Sequence, residues 1–380
     1  MKNVYILGGL RSHIGLKNGI FKSIQPEDLA AALLKELIKK YQLETIDQII
    51  GGNAVGTGGN ITRLMALKAG ISEEVPAFTI DMQCSSACMS IDVAFAKIQS
   101  GQCDLIIAGG MESSSLQPLR SYVKNDSRYS DDHAPYSVSQ FSPNENNDLA
   151  MLEGAQRVIQ KEKVTKTELD FWSLESHTHA KAAKNQNQLT DVILPLYGST
   201  KDEGIRERMS QKLLDRLPLL LGENTLITAG NSCLINDGAA FIVLASEKFL
   251  KQTGQTPLAQ ILHTCSVGTN PLYSPLAAMK SVDKLLTIAN LKYNDIANFE
   301  FNEAFAVIDV LFERAYPKLV DRYNILGGAL AYGHPYGASG GIIMLHLLKA
   351  LEYTKGLYGV CSIAGAGGLG SAILIKRTKA

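Results

Sequence analysis

No apolar run in this chain approaches the roughly 18 uninterrupted residues that a membrane-spanning helix needs. Neither sign of charge is in excess. Lysine and arginine total 37 and aspartate and glutamate total 37, for a formal net charge of zero, so nothing draws the chain as a whole to nucleic acid or to an anionic membrane surface. A local basic patch for a phosphate-bearing ligand stays compatible with that balance. Cysteine is sparse and never forms a CxxC unit: Cys84, Cys88, Cys103, Cys233, Cys265 and Cys361 are scattered. That argues against a disulfide framework and against the common zinc spacings. Cys84 and Cys88 share a helical face, but two thiols without further ligands make a poor metal site, and no metal is expected. Met1-Lys2-Asn3 followed by the short apolar run at residues 4–7 lacks the length and cleavage site of a signal peptide. Together with unpaired thiols this predicts a cytoplasmic protein, with no membrane and no nucleic acid among its partners.

What is present is a chain of 380 residues, enough for a large buried core and two or three domains. The first third alternates apolar strands (residues 4–7, 49–50, 77–80 and 104–108) with helical periodicity. Leu29, Leu33, Leu34 and Leu37 recur at helical spacing behind Pro26-Glu27-Asp28, and residues 87–98 form another amphipathic run. Strand, helix, strand, helix predicts a mostly parallel sheet covered by helices, an α/β fold. From residue 116 to 224 the character changes. Residues 121–147 are polar with little periodicity, and helical stretches are expected at 170–184 and 209–217. Such a segment reads as an insertion that covers a site. The alternation then resumes, with strands at 225–228 and 241–245. The last third repeats the scheme, with strands at 258–263, 298–301, 359–363 and 372–375 and helices at 277–289, 304–315 and 342–350. Two halves of similar order predict a duplicated unit: residues 1–115 with 225–250, the insertion 116–224, and residues 251–380.

Four segments carry chemistry. In Asp81-Met82-Gln83-Cys84-Ser85-Ser86-Ala87, a cysteine stands between a strand and a helix start, where free N–H groups favour thiolate and hence a sulfur nucleophile. A buried structural cysteine is the plain alternative. Asn302-Glu303-Ala304 follows a strand; Asn302 can orient a water or donate to an oxyanion, or simply cap a helix. His334 lies in the glycine-rich run at residues 327–341, between Gly333 and Pro335, and suits a base on a thiol or a donor to a thioester oxygen. Near the C-terminus a strand containing Cys361 runs into Gly365, Gly367, Gly368 and Gly370, whose N–H groups can line an oxyanion site. Cys361 reads either as a second reactive sulfur or as a buried strand residue.

In this order and spacing the segments resemble the thiolase family. The likeness extends to Arg11 with Ile14-Gly15, to GQCDLIIAGGMESSS beginning at Gly101, to TAGNSCLINDGAA beginning at Thr228, and to GGALAYGHPYGASG beginning at Gly327. It is weakest in the insertion. The resemblance implies a five-layered αβαβα core of two similar halves with an inserted loop domain that binds coenzyme A, assembled as a homodimer or homotetramer. It implies no permanently bound cofactor, with an acyl-coenzyme A thioester and coenzyme A as substrates. Cys84 would carry the acyl group, His334 would activate it, and Asn302 would position a water. A second cysteine would move the proton at the substrate α-carbon. Ser232 would lie near the pantetheine, Gly367 and Gly368 in the substrate site, and Arg206, in Asp202-Glu203-Gly204-Ile205-Arg206, beside the phosphates.

The likeness breaks at that second cysteine. Counting back from Gly367-Gly368-Leu369-Gly370 puts Ala364 there, whereas counting forward from Gly356-Leu357 puts Cys361 there; the first alignment needs no insertion in the glycine turn. Cys233 also stands where the family usually has serine. The expected activity is an acetyl-CoA or 3-ketoacyl-CoA C-acyltransferase. One alternative is an acyl-CoA-binding or acyl-transfer protein of the same fold that lacks the carbon–carbon step. Another is a ketoacyl synthase, which would pair the cysteine with two histidines; His177 and His179 are expected to face solvent. His13, His133, His263 and His346 have no motif context.

Overall fold

The computed structural model describes residues 2–132, 135–143 and 147–378; His133 lies outside them. The first half contains β1 (Val4–Ser12), β2 (Gly15–Leu16), α1 (Pro26–Tyr41), β3 (Gln48–Gly52), α2 (Ile61–Lys68), β4 (Ala77–Ile80), α3 (Ser86–Ser100) and β5 (Leu105–Ser113). An excursion follows with α4 (Ala150–Lys161), α5 (Lys166–Asn185), β6 (Ile193–Leu194) and α6 (Gln211–Leu214). The chain returns as β7 (Asn236–Ser246) and α7 (Glu247–Thr253). The second half contains β8 (Ala259–Gly268), α8 (Ala277–Ala289), β9 (Asn298–Phe301), α9 (Val307–Ala315), α10 (Ala329–Tyr332), α11 (Ser339–Thr354), β10 (Tyr358–Gly365) and β11 (Leu369–Arg377).

The strands join in the order β4-β3-β5-β7-β1-β8-β11-β10-β9, and that order carries a duplication. In the first half β3, β4 and β5 run parallel, while β7 is antiparallel to both β5 and β1. In the second, β9 and β10 run parallel, while β11 is antiparallel to both β10 and β8. The equivalent strands β1 and β8 meet antiparallel, Val4 opposite Ile261. Two copies of one unit related by a local two-fold produce this pairing.

Helices α3 and α11 pack on each other and on strands of both halves, while α1 and α2 cover the outside of the first half and α8 the outside of the second. The layering is therefore αβαβα. Physical chemistry selects the inner helices. Ser339–Thr354 is apolar nearly all round, with Ile342 through Leu348 and Ala350-Leu351 all buried, and such a helix must lie between layers. Contact with α3 is close: a Cβ on Gly340 would stand 2.3 Å from the Cys88 nitrogen. By contrast α1 is amphipathic, with Pro26 in its first turn beside Glu27 and Asp28, and Lys39 and Lys40 in its last. Truncating a central side chain such as Ile91 or Leu345, both fully buried, to alanine would cost about 2–5 kcal/mol.

Several expected elements differ. The helix expected over 304–315 starts only at Val307. Residues 302–306 are held in a turn, the Ala304 amide on the Asn302 carbonyl and the Ala306 amide on that of Asn231. The helix expected over 209–217 shrinks to Gln211–Leu214. No strand forms at 225–228; Thr228 makes only an isolated bridge to Leu219. His177 is buried rather than solvent-facing, because its Nδ1 accepts the Arg206 backbone N–H at 3.1 Å.

Candidate active site

Strand β4 ends at Ile80, and the chain reaches α3 through a tight turn in which Gln83 takes a left-handed backbone conformation, φ 52°. That conformation costs a non-glycine residue about 1 kcal/mol, and it thrusts the next residue, Cys84, toward a cleft. The Ser85 and Ser86 amides are consumed by the Met82 and Gln83 carbonyls, at 3.1 and 3.0 Å. Only the Ala366 amide and the cysteine's own N–H favour ionised sulfur, and burial outweighs them, pushing the Cys84 thiol up to about 12. The thiolate expected at a helix start is therefore not the resting form. The first amide of helix α3, that of Ser86, is thus spent within the turn.

His334 is buried with its backbone N–H on Asn236 Oδ1 at 2.9 Å. Its Nδ1 lies 2.5 Å from Ser339 Oγ, and that hydroxyl donates to the Pro335 carbonyl at 2.9 Å. With its own proton committed, Ser339 can only accept, so the imidazole proton sits on Nδ1 and Nε2 is left bare. Asn302 Nδ2, 3.4 Å from Nε2, fits as a donor to that lone pair. Burial lowers His334 to about 3, so the ring is neutral at physiological pH and able to receive a proton.

Cys84 and His334 line one cavity of about 420 Å³. Its lining includes Gln83, Ser232, Cys233, Ala304, Phe305, Tyr336 and Ala366 on the inner side, and Phe141, Met151, Leu152 and Leu220 from the excursion between β5 and β7. The lining is mostly apolar, with two cations, Lys17 and Arg120. Arg120 donates to the Gly56 carbonyl and to Ser139 Oγ, at 3.3 Å to the latter.

Other predicted residues are placed as follows. Ser232 lines the cavity, although its hydroxyl donates to the Thr228 carbonyl at 2.7 Å. Asn302 touches His334 from behind the lining. Gly367 and Gly368 form the left-handed turn after β10, φ 82° and 74°; their neighbour Ala366, not they, meets the cavity. Arg206 is exposed and outside the lining. Cys361 is fully buried on β10, in the central core with Cys88 and outside the cavity lining. Ala364 is buried two residues before Ala366, paired with Gly370.

Sequence reasoning missed the residues that hold the histidine loop. Glu112, fully buried at the end of β5, accepts from Asn53 Nδ2 at 2.8 Å, the Ala54 amide at 2.9 Å and the Gly337 amide at 3.0 Å. Burial raises it to about 7 against the pull of those amides. Asn236 ties the His334 amide to the Gly15 carbonyl. A carboxylate ending a nine-residue strand that is otherwise buried and uncharged was the available signal, since such a group must find donors.

Against known proteins, residues 4–248 match the family profile described as "Thiolase, N-terminal domain", and residues 255–377 match "Thiolase, C-terminal domain". A Staphylococcus aureus protein named "Probable acetyl-CoA acyltransferase" is 33% identical over 399 residues, covering 100% of each chain. The crystal structure of the Bacillus anthracis acetyl-CoA acetyltransferase superposes with a TM-score of 0.93 at 28% identity, covering 100% of this chain and 99% of that one. Human mitochondrial 3-ketoacyl-CoA thiolase in complex with CoA gives 0.90 at 27% identity, with 100% and 98% covered.

Proposed function

The chain belongs to the thiolase family and is an acyltransferase, and on that footing we propose that it carries an acyl group as a thioester on Cys84, exchanging it with coenzyme A and cleaving or forming the carbon–carbon bond of a 3-ketoacyl-CoA. The observation that carries the reading is the shared cavity: a sulfur held un-ionised lines it together with a neutral imidazole whose Nε2 carries no proton. Because burial raises the thiol to about 12 and lowers the imidazole to about 3, transfer of the proton ahead of any attack is uphill. The proton therefore moves to Nε2 only as the sulfur attacks a thioester or ketone carbonyl, so that charge passes to the substrate oxygen without settling on sulfur. The Ala366 amide beside the sulfur and the Asn302 side chain beside Nε2 supply donors for developing charge. The apolar walls suit an acyl chain and pantetheine, and Lys17 and Arg120 suit phosphate. This reading takes coenzyme A as substrate and coproduct.

The test is acyl loading followed by intact-protein mass. Acetyl-CoA or acetoacetyl-CoA should add one acyl group to the wild type and none to Cys84→Ala. A wild type that loads with no acyl-CoA, or an alanine variant that loads equally, refutes the reading.

A second reading, acyl transfer without carbon–carbon chemistry, is favoured by one observation. Ala364 has no exchangeable proton, and Cys361 is turned into the core against Cys88. Loading without thiolysis of acetoacetyl-CoA by free coenzyme A would support it.

A further inference from the structure

Carbon–carbon cleavage leaves a carbanion at the α-carbon of the departing thioester, and something in the cavity must protonate it. Cys84 is acyl-bonded at that moment, and His334 holds the proton Cys84 gave up. Of the remaining protic or ionisable groups, Lys17 and Asp148 are exposed to solvent, and Asp148 is engaged by Ser137 and the Val138 amide. Arg120 stays a cation, held on Ser139 and the Gly56 carbonyl. The hydroxyls of Ser137, Ser139 and Ser232 are far weaker acids than a thiol or phenol. That leaves Tyr336 and Cys233, both in the lining with Cys84.

The geometry points to Cys233 as the acid and base at the substrate α-carbon. This inference rests on the proposed Cys84 acyl-enzyme. The segment bearing Cys233 is clamped between the two other functional segments. Ser232 bridges to Phe305, the Cys233 amide donates to the Ala304 carbonyl at 2.9 Å, and Ile235 bridges to His334. Cys233 is thereby held between the turn that follows Asn302 and the histidine loop, on the wall of the cavity that Cys84 enters. The two sulfurs are close enough that charge on Cys84 disfavours ionisation of Cys233, and Tyr336 feels both. Burial also holds the Cys233 thiol protonated, the state an acid needs. A thiol suits the position better than the Tyr336 phenol, because the group must be reloaded by the thiol of coenzyme A, and exchange between two thiols is nearly balanced.

The steps balance in the direction of thiolysis. Cys84 sulfur bonds to the ketone carbon as its proton passes to His334 Nε2. The carbon–carbon bond breaks, its electron pair going to the α-carbon, which takes the Cys233 proton and leaves as acetyl-CoA. Cys233 is then a thiolate. Coenzyme A enters, gives its thiol proton to Cys233, and its sulfur attacks the acyl carbon. The bond to Cys84 breaks, and Cys84 recovers the proton from His334. Both thiols and the neutral imidazole are restored.

Cys233→Ala should still reach the acyl-enzyme on Cys84 from acetyl-CoA at end point, more slowly because the departing coenzyme A sulfur must take its proton from water, while acetoacetyl-CoA thiolysis and exchange of acetyl-CoA α-protons with deuterated water fall about 100-fold or more. Cys233→Ser, which keeps the side-chain volume, should also reach the acyl-enzyme at end point and lose at least tenfold in both, the hydroxyl being a poorer acid. Either variant loading acyl and cleaving within threefold of wild type overturns the assignment while leaving the acyl-enzyme standing. If the wild type itself takes up no acyl group, both fail. Should the alanine variant not load, the serine variant decides by the same criteria.

Discussion

Replacing Ser339 with alanine tests how the histidine is set. In the native site the Nδ1–H donates over 2.5 Å to Ser339 Oγ, and His334 and Ser339 are 1% and 2% exposed, so no water stands ready to substitute. Alanine leaves that N–H unpaired, at a cost of about 1–3 kcal/mol. The ring can escape by moving its proton to Nε2, but then Nε2–H faces the Asn302 amide and the base is gone from the cavity. The working tautomer loses about 1–3 kcal/mol of preference, and since 1.4 kcal/mol is a factor of ten, acyl loading should slow about 10- to 100-fold. His334 titrates far below neutrality, so the deficit should be constant from pH 6 to 9. Rapid-quench intact mass measures the rate, and nitrogen NMR of labelled histidine reads which ring nitrogen holds the proton. Loading within threefold of wild type, with the Nδ1–H tautomer retained, refutes the reasoning.

Loss of acyl loading in Cys84→Ala, and of thiolysis and α-proton exchange in Cys233→Ala, are expected as described above. Cys361→Ala should leave thiolysis within twofold of wild type while lowering stability by about 1–2 kcal/mol from the cavity opened beside Cys88, read from denaturant unfolding; a large loss of activity would return Cys361 to the chemistry. Glu300→Gln should change how stability depends on pH. Burial, with the nearby Glu303, holds the Glu300 carboxyl well above its ordinary value, so the folded protein keeps a proton that the unfolded chain releases near pH 4.5. Wild-type stability therefore falls by about 1.4 kcal/mol per pH unit from this group as pH rises above that value toward its folded pKa. The glutamine variant lacks the slope, so above pH 5 it should gain on wild type by up to about 1.4 kcal/mol per pH unit until the folded pKa is reached, whatever constant offset its amide introduces. Parallel unfolding curves for the two proteins would refute this.

The alternation of strands and amphipathic helices, the two similar halves and the candidate sulfur, imidazole and amide were legible in the sequence, because periodicity and turn chemistry are local. So was the family likeness, carried by runs such as GGALAYGHPYGASG, in which glycines must keep their places for backbones to approach. Chain order alone did not say that β1 and β8 pair antiparallel, or that α3 and α11 share the central layer; those are long-range packings. Nor could it give the ionisation of Cys84. Its position before a helix suggested thiolate, whereas the folded turn diverts the nearby amides to carbonyls and lets desolvation dominate. Which thiol accompanies Cys84 was also undecided along the chain, where Cys361 and Ala364 competed by alignment. Tertiary structure turns Cys361 into the core and brings Cys233, far off in sequence, to the cavity wall, because the segment after Asn231 is pinned between the Asn302 turn and the histidine loop.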